Sequence, residues 1–452
     1  MDTNPPKTPA TLPLAAWQEL APAAAAREVH RRLAALPDPL RRAALAWVRP
    51  EAELARSLRG SDVQPDAAHR EMAPPPSQSH PLRGIPYALK DLFDLAGVPT
   101  RAGSTFLDRI RPTPARDSRF VRMLADLGAT CAAKAQMVEF ASGLTGENPH
   151  WGDCPHPHFP DRLTGGSSSG SAALVAAGVV PLATGTDTGG SVRVPAAWCG
   201  LHGFRLTPQD PLIADAFPLS PTMDTAGWFT AGAADMLAAW KAIVGGGGRQ
   251  TAGVTSRQPT AATPRGLRLD LPTLLPEADV EIAQACAAVA SKLGVGADPA
   301  ARQGLLDSWR EAVDAYLTIG MSEAHAVHRD WLAPYHEHYD PVIWQRFTDA
   351  GGIPAERIAW AHFVKERVRA GFQACFAAHD YLVLPAVPGP APRKADCTPE
   401  LRRSILTLTA PASLAGLPVL SVPVPLASGL TAGLQIILPR ADSPVVPWLL
   451  NG

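Results

Sequence analysis

The sequence predicts an α/β protein in which a mixed, mostly parallel β-sheet is sandwiched between helices. Short apolar segments typical of strands alternate along the chain with segments whose apolar residues recur at helical spacing. This alternation is typical of parallel sheets covered by helices on both faces. The chain has 452 residues, of which 46% are hydrophobic and 18% are charged, so it can bury a large core.

Charge and hydropathy exclude several classes of partner. The net charge is −1, which favours no nucleic-acid partner. The most apolar run, residues 171–182, is too short for a membrane span of about 20 residues, so no membrane partner is expected. The first residues do not read as a secretory signal, and the six cysteines form no C-x-x-C pair. We therefore expect reduced thiols and a cytoplasmic location. A monomer or homodimer is expected as well.

The first half of the chain predicts helices followed by two strands. Residues 14–57 read as two or three short helices, and residues 61–80 read as a surface loop. Residues 84–98 predict a strand that ends near Lys90 and Asp91. An amphipathic helix over 118–130 and a short strand over 131–135 come next.

The second half predicts the remaining elements of the sheet and a helical insert. A helix over 171–180 is small and apolar all round, which indicates burial, and residues 179–187 predict a buried strand. Further elements are predicted as follows: a flexible connection over 245–264, a helix over 280–293, aromatic helices over 305–378, and late strands over 380–392 and 418–426. The predicted divisions are N-terminal helices and a surface loop (1–80), a catalytic core (81–245), a variable helical substrate-side region (246–380) and closing strands of the same core (381–452).

Two serine clusters beside glycines raise the question of catalysis. The first cluster is residues 167–169 and the second is Ser191, and one predicted helix and one predicted strand join them. Close packing of small residues is one explanation. A second is the G-x-S-x-G nucleophile elbow at 166–170, with Ser168 as nucleophile, but that elbow follows a strand and the preceding residues are irregular.

A third explanation is a resemblance that spans about two thirds of the chain. The segments "GIPYALKDLFDLAGVPTRAGS" and "GGSSSGSAALVAAGVVPLATGTDTGGSVRVPAAWCGLHGFRLTP" resemble the amidase signature family of serine hydrolases. The resemblance implies the fold of that family, with Ser191 as nucleophile, Ser167 as bridging serine and Lys90 as base. It also implies a cis peptide bond between Gly166 and Ser167.

The residue chemistry agrees with these implied roles. A serine hydroxyl needs a base to remove its proton, and neither serine loop contains a histidine. A lysine acts as a base only when it is neutral, which near pH 7 to 8 requires a pKa depressed by about three units. The apolar residues around Lys90 suit a desolvated amine, and strand alternation turns Asp91 away from it.

The second serine loop, "TDTGGS", predicts a site for a developing oxyanion. Its glycines let a substrate approach bare backbone N–H groups, so Thr188, Gly189 and Gly190 are the oxyanion-hole candidates, together with the N–H of Ser191. The predicted supporting residues are Gly166, Ser168, Asp187 and Arg193, with Ser169 beside them.

These residues predict a hydrolase without a cofactor or metal. The histidine pairs at 156–158, 325–328 and 336–338 lack companion carboxylates or cysteines at ligand spacing. By its resemblance the chain is expected to cleave C–N bonds of small neutral amides, anilides or carbamates, and esters, through a serine acyl-enzyme. The aromatic residues at 309–360 suggest an aryl pocket, and the length and insert are similar to those of metagenomic urethanases of this family. Two alternatives stay open: membership of a glutamine-dependent transamidation complex as one of its subunits, and a catalytically silent binding protein.

Overall fold

A single mixed sheet organises the protein, which we describe from a computed structural model covering residues 11–60, 80–245, 263–293, 295–296 and 298–451. The strands are β1 (Leu45–Val48), β2 (Pro86–Lys90), β3 (Thr130–Ala135), β4 (Leu182–Thr186), β5 (His202–Arg205), β6 (Ala226–Thr230), β7 (Gly266–Arg268), β8 (Val295–Gly296), β9 (Tyr381–Pro385), β10 (Val419–Pro425) and β11 (Thr431–Ile437). Their order in the sheet is β1-β3-β2-β4-β6-β5-β10-β11-β9-β7-β8. The predicted surface loop (61–79 of it) and most of the predicted connection (246–262) lie outside the described residues.

Helices of very different lengths surround the sheet. They are α1 (Leu14–Gln18), α2 (Pro22–Ala34), α3 (Asp38–Ala44), α4 (Glu51–Leu58), α5 (Leu107–Ile110), α6 (Arg119–Asp126), α7 (Ser169–Ala176), α8 (Arg193–Trp198), α9 (Ala233–Ile243), α10 (Leu271–Leu274), α11 (Val280–Ala290), α12 (Pro299–Ser308), α13 (Ala312–Leu332), α14 (Pro341–Asp349), α15 (Ala355–Ala378), α16 (Pro399–Ala415) and α17 (Val445–Asn451). Of the helices in these described ranges, none combines the length and the apolarity that crossing a membrane requires.

The predicted α/β class and the mixed sheet are confirmed, with a smaller parallel share than expected. Strand β2 is parallel to β3 and β4, and β7 is parallel to β8 and β9. The other six of the ten neighbouring pairs among the described residues are antiparallel. The link from β10 to β11 spans only residues 426–430, which is long enough for a hairpin but not for a parallel crossover.

Burial explains why the central strands read as continuous apolar runs. Every residue of β2, β4, β6 and β9 is buried, as expected for strands covered on both faces. Helix α7 is buried all round, in agreement with its uniformly small and apolar sequence.

The N-terminal segment adds one strand that its sequence does not signal. Four helices, α1 to α4, occupy the segment for which two or three were expected, and β1 pairs antiparallel with β3 at the edge of the sheet. Strand β1 has only four residues and follows α3 directly, so neither length nor turn residues mark it.

The aromatic helices separate into two environments. Trp309 packs on Phe372 in the main core, with ring centroids 5.4 Å apart. Most aromatic residues of α13 and α14 instead join aromatic residues that follow β2, β3 and β5, whereas Tyr316 of α13 belongs to the main core. We call this second group the aromatic cluster: Phe106, Phe140, Phe217, His328, Trp331, Tyr339 and Phe347. It lies beyond the carboxyl ends of the parallel strands, where α/β proteins bind ligands.

The close packing of α7 generates a prediction for Gly170. A Cβ there would lie 2.5 Å from the backbone oxygens of Ala44 and Gln136, so Gly170→Ala forces backbone apart and should destabilise the fold by about 3 kcal/mol. The matched control is Gly304→Ala in α12, where nothing lies within 4 Å of the added carbon. It should stabilise the fold by about 0.5–1 kcal/mol. Urea unfolding measures both, and equal effects of the two substitutions would contradict the packing.

Candidate active site

The carboxyl ends of β2 and β4 bring Lys90 and Thr186 to one edge of the sheet. The two strands are parallel neighbours, with Ala88 beside Ala183. The backbone N–H of Lys90 donates to the Thr184 hydroxyl at 3.0 Å, which fixes the end of β2 against β4. Because parallel strands end together, residues 96 positions apart meet at this edge.

The Lys90 amine is fully buried between two hydroxyl groups. Its Nζ lies 2.8 Å from Oγ of Ser167 and 2.7 Å from Oγ1 of Thr186. Burial lowers the pKa of Lys90 to about 7, while the negative charges of Asp187 and Asp224 oppose that shift. At neutral pH a large share of the molecules therefore carries an uncharged amine.

Asp91 faces away from the Lys90 amine, which confirms the expectation from strand alternation. Its Oδ1 lies 2.6 Å from Nζ of Lys134 on β3, in a fully buried ion pair. The Lys134 amine also donates to the Thr100 hydroxyl at 2.9 Å. The carboxylate next to Lys90 in sequence is therefore neutralised by another lysine.

The first serine loop carries Ser167 after a cis peptide bond from Gly166. Gly166 has no room for a side chain, because a Cβ there would lie 2.7 Å from Cγ2 of Val138. The Ser168 hydroxyl donates to the backbone oxygen of Thr186 at 3.2 Å, so it ties the first serine loop to the second. In the described chain only two isolated bridges, and no strand, involve residues 155–165, so the context for a nucleophile elbow at Ser168 is missing.

Ser191 is buried at the end of the second serine loop. Among the described residues its hydroxyl has no hydrogen-bond partner, and no hydrogen bond joins it to Ser167. The structure thus links Lys90 to Ser167 directly and leaves the Ser191 hydroxyl without a protein partner.

One of the predicted oxyanion donors is already engaged. The Gly190 N–H donates to Oδ1 of Asp187 at 2.8 Å, so this N–H braces the loop instead of pointing at a ligand. Gly190 has a φ of 134°, a conformation that favours glycine. Within the described ranges, the N–H groups of Thr188, Gly189 and Ser191 have no acceptor. Of the three predicted loop residues, Thr188 and Gly189 therefore keep an available donor.

A buried ionic network around Asp187 holds this loop. The carboxylate accepts hydrogen bonds from Arg193 and Arg205, both at 2.9 Å, and from the backbone N–H of Val192 at 3.0 Å. Burial alone would raise the pKa of Asp187, but Arg193 and Arg205 outweigh it and hold that pKa well below its usual range. Arg193 continues to Ser413 of α16 at 2.7 Å. The network therefore anchors the loop to the closing part of the chain.

Thr188 is fixed by a second buried carboxylate. Its hydroxyl donates to Oδ1 of Asp224 at 2.5 Å, and Oδ2 of Asp224 accepts the N–H of Leu219 at 2.8 Å. Burial raises the pKa of Asp224 to about 6, although these hydrogen bonds lower it.

Sequence reasoning missed three residues of this site. Thr186 precedes the predicted loop by one residue and holds the Lys90 amine. Arg205 shares Asp187, and Tyr316 of α13 lies against Gly189, where an added Cβ would come within 2.6 Å of its Cζ. Position next to "DTGGS" could have signalled Thr186, whereas nothing in the sequence marks Arg205 or Tyr316.

The histidine pairs make ordinary hydrogen bonds. His156 contacts the backbone oxygen of Trp198 at 3.0 Å, and His325 contacts that of Phe347 at 2.8 Å. In the part of the chain that the structure describes, no group of three or more His, Cys, Asp or Glu side chains could hold a metal ion.

The Asp187 network predicts a large stability loss for Asp187→Asn. A neutral amide leaves Arg193 and Arg205 buried without their counter-charge, which should cost about 3–5 kcal/mol of unfolding free energy. The control Asp215→Asn removes a carboxylate that lies 4.0 and 3.9 Å from Arg119 and Arg122 near the surface, and should cost less than about 1 kcal/mol. Urea denaturation compares the two, and similar losses would show that the buried network contributes no more than a surface pair.

Comparison with known proteins identifies the family. The model of the Amidase family matches residues 62–444. The chain is 44% identical over 155 residues to indoleacetamide hydrolase of Pseudomonas savastanoi, covering 34% of each chain. It is 31% identical over 396 residues to one of the subunits of glutamyl-tRNA(Gln) amidotransferase of Pseudomonas entomophila, covering 79% of this chain and 80% of the relative. The crystal structure of an amidase superposes with a TM-score of 0.76 at 28% identity, covering 96% and 95% of the two chains. The chain therefore belongs to the amidase signature family, whose hydrolases act on carbon–nitrogen bonds other than peptide bonds.

Proposed function

We propose that Lys90, Ser167 and Ser191 form a proton relay that hydrolyses small neutral amides bearing an apolar or aryl group. One observation carries this proposal: a fully buried amine with a pKa near 7 lies 2.8 Å from the Ser167 hydroxyl. A lysine that is neutral at physiological pH can take a proton, and a buried uncharged lysine is otherwise a costly way to fill a core.

The relay acts in two half-reactions. Ser191 Oγ attacks the carbonyl carbon while its proton passes to Ser167 and the Ser167 proton passes to Lys90. The carbonyl oxygen, now negative, accepts hydrogen bonds from the available N–H groups of the second serine loop. The tetrahedral intermediate collapses when the leaving nitrogen receives the proton back along the relay. A water molecule then attacks the acyl-enzyme by the same route and releases the acid.

Thr186 supports the relay by orienting the amine. A neutral primary amine has two N–H groups and one lone pair. When one N–H donates to Thr186 Oγ1, at 2.7 Å, the lone pair of Lys90 is free to face Ser167. The amine is thereby ready to accept the Ser167 proton without reorienting.

The aromatic cluster supports an apolar or aryl substrate. The Val138 N–H donates to the backbone oxygen of Ser167 at 3.1 Å, and Phe140 follows two residues later. The Phe217 N–H donates to the backbone oxygen of Leu92 at 2.9 Å, two residues after Lys90. The cluster therefore lies beside the relay. The partial match to indoleacetamide hydrolase, whose name specifies a primary amide that bears an aromatic ring, supports the same substrate class.

The same acyl-transfer chemistry cleaves anilides, carbamates and esters, so these stay in the proposed substrate class.

The match to a glutamyl-tRNA(Gln) amidotransferase favours a second candidate, a transamidation protein that releases ammonia for a partner. The two candidates differ in what the isolated chain can do, because a transamidation protein of this kind needs its partner.

The deciding experiment is a substrate panel with the isolated protein. We expect turnover of phenylacetamide, of phenyl carbamate, whose nitrogen is unsubstituted, and of a p-nitrophenyl ester, with release of ammonia from the amide. Ser191→Ala should lower kcat by a factor of about 10⁴ or more, because the nucleophile is lost. A fluorophosphonate should label Ser191 and not Ser168. No turnover of any substrate by the wild type would favour the transamidation candidate, and labelling of Ser168 would restore the elbow.

The relay also predicts the pH profile. Since only the neutral amine accepts a proton, kcat/KM should rise with pH around a midpoint near 7, the pKa of buried Lys90, and level off above it. Lys90→Met should remove the activity. Asp224→Asn tells the two titrations apart: the rise should remain, because Asp224 transfers no proton in the relay, but its midpoint should fall below that of the wild type, because the negative charge of Asp224 raises the pKa of Lys90. Loss of the rise in this variant would assign the titration to Asp224 itself. A midpoint above about 9 would mean an amine with an ordinary pKa and would contradict the proposal.

A further inference from the structure

The ring of Tyr316 packs against Gly189, on the face of the second serine loop where this glycine has no side chain. Helix α13 brings the ring against Gly189, where an added Cβ would overlap the hydroxyl and lie 2.6 Å from Cζ and 3.2 Å from Cε1. The neighbouring Ala315 and Ile319 are fully or almost fully buried, so the helix is firmly seated at this point. A substrate carbonyl that reaches the N–H groups of this loop must therefore come close to Tyr316.

The hydroxyl of Tyr316 has no protein partner in the described part of the chain, although the residue is buried. The hydroxyl oxygen keeps accessible surface, unlike fully enclosed polar atoms that lack a partner, such as Nε1 of Trp228, so a ligand can reach it. Burial raises the pKa of Tyr316 to about 13, and the charges of Asp187 and Asp224 add to this, so the group stays a neutral hydroxyl that can both donate and accept. An unpaired, neutral hydroxyl against Gly189, two residues before Ser191, is suited to a bound ligand.

We propose that the Tyr316 hydroxyl hydrogen-bonds the nitrogen side of the substrate's amide group and selects primary amides and unsubstituted carbamates. This inference rests on the proposed function and narrows its substrate class. A carbonyl carbon held at Ser191 has two substituents. In this proposal the aromatic cluster takes the apolar acyl part, and the nitrogen lies on the side of Tyr316. An –NH₂ group can pair with the hydroxyl, whereas the ring of an anilide would meet the tyrosine ring.

Tyr316→Phe tests the hydrogen bond without changing the shape of the site. We expect kcat/KM for phenylacetamide to fall about tenfold, and that for methyl phenylacetate, which has no N–H, to change less than about threefold. Thr318→Val is the matched control, because it removes a hydroxyl of the same helix that bonds only the backbone oxygen of Asp314. That control should leave the ratio of amide to ester activity unchanged. A purely structural role of Tyr316 would lower both activities equally and would overturn the proposal.

Tyr316→Ala tests the steric part. Removing the ring should raise the activity on phenylacetanilide relative to phenylacetamide at least about tenfold. An unchanged ratio would mean that the ring does not limit the nitrogen substituent.

A binding measurement separates this proposal from the proposed function. In a Ser191→Ala background, which does not turn over, calorimetry should give a Kd for phenylacetamide about tenfold weaker when Tyr316 is changed to Phe. Lack of turnover by the wild type would refute the hydrolase proposal and still leave this comparison decisive. Equal affinities of the two proteins, or no binding by either, would overturn the role of Tyr316.

Discussion

Removal of water from the Lys90 amine is the constraint on which the site depends. An ammonium in this position would be expensive, so the fold shifts the pKa of Lys90 to about 7 rather than supplying a counter-charge in contact with it. The burial comes from the position of β2 between β3 and β4, with every residue of that strand covered. The two hydroxyl groups that touch Nζ satisfy the amine in its neutral form and would solvate a charge only poorly.

The same edge of the sheet also holds a buried charge, Asp187, which directly follows Thr186 at the end of β4 and is stabilised in the opposite way. Asp187 is equally inaccessible to water, yet it stays ionised because two guanidinium groups and backbone N–H groups surround it. This difference in charge between Lys90 and Asp187 fits the role proposed for each residue. A base must be able to change its protonation state, whereas a loop anchor must keep one charge and one geometry. The cost of burying Asp187 is offset by the number of hydrogen bonds that it accepts.

The sequence was most informative where chemistry and local structure coincide. The family resemblance singled out Lys90, Ser167 and Asp187, the apolar neighbours of Lys90 also predicted its burial, and the structure brings the Lys90 amine to 2.8 Å from Ser167. The engaged N–H of Gly190 could not be foreseen, since it depends on how Asp187 turns within its own loop. Arg205 and Tyr316 come from distant segments, and only tertiary packing brings them to the loop. The antiparallel share of the sheet was underestimated for a related reason, because burial pattern reports coverage of a strand and not the direction of its neighbours. The division of the chain into core and substrate-side regions stays a prediction.

Under the proposed function, the site divides its tasks between two parts of the chain. Reactivity is set by residues 166–193 together with Lys90, which lie in or beside the sheet. Selectivity is set by α13 and α14, which pack over the same edge from another part of the chain. The division is not complete, because Asp187 and Asp224 act on the pKa of both Lys90 and Tyr316. A neutral tyrosine above the loop adds no charge to this environment, and an acidic residue in its place would favour the protonated amine. Under this proposal α13 can vary in shape and hydrogen bonding, but a charge next to Gly189 is constrained, because it would change the pKa of Lys90.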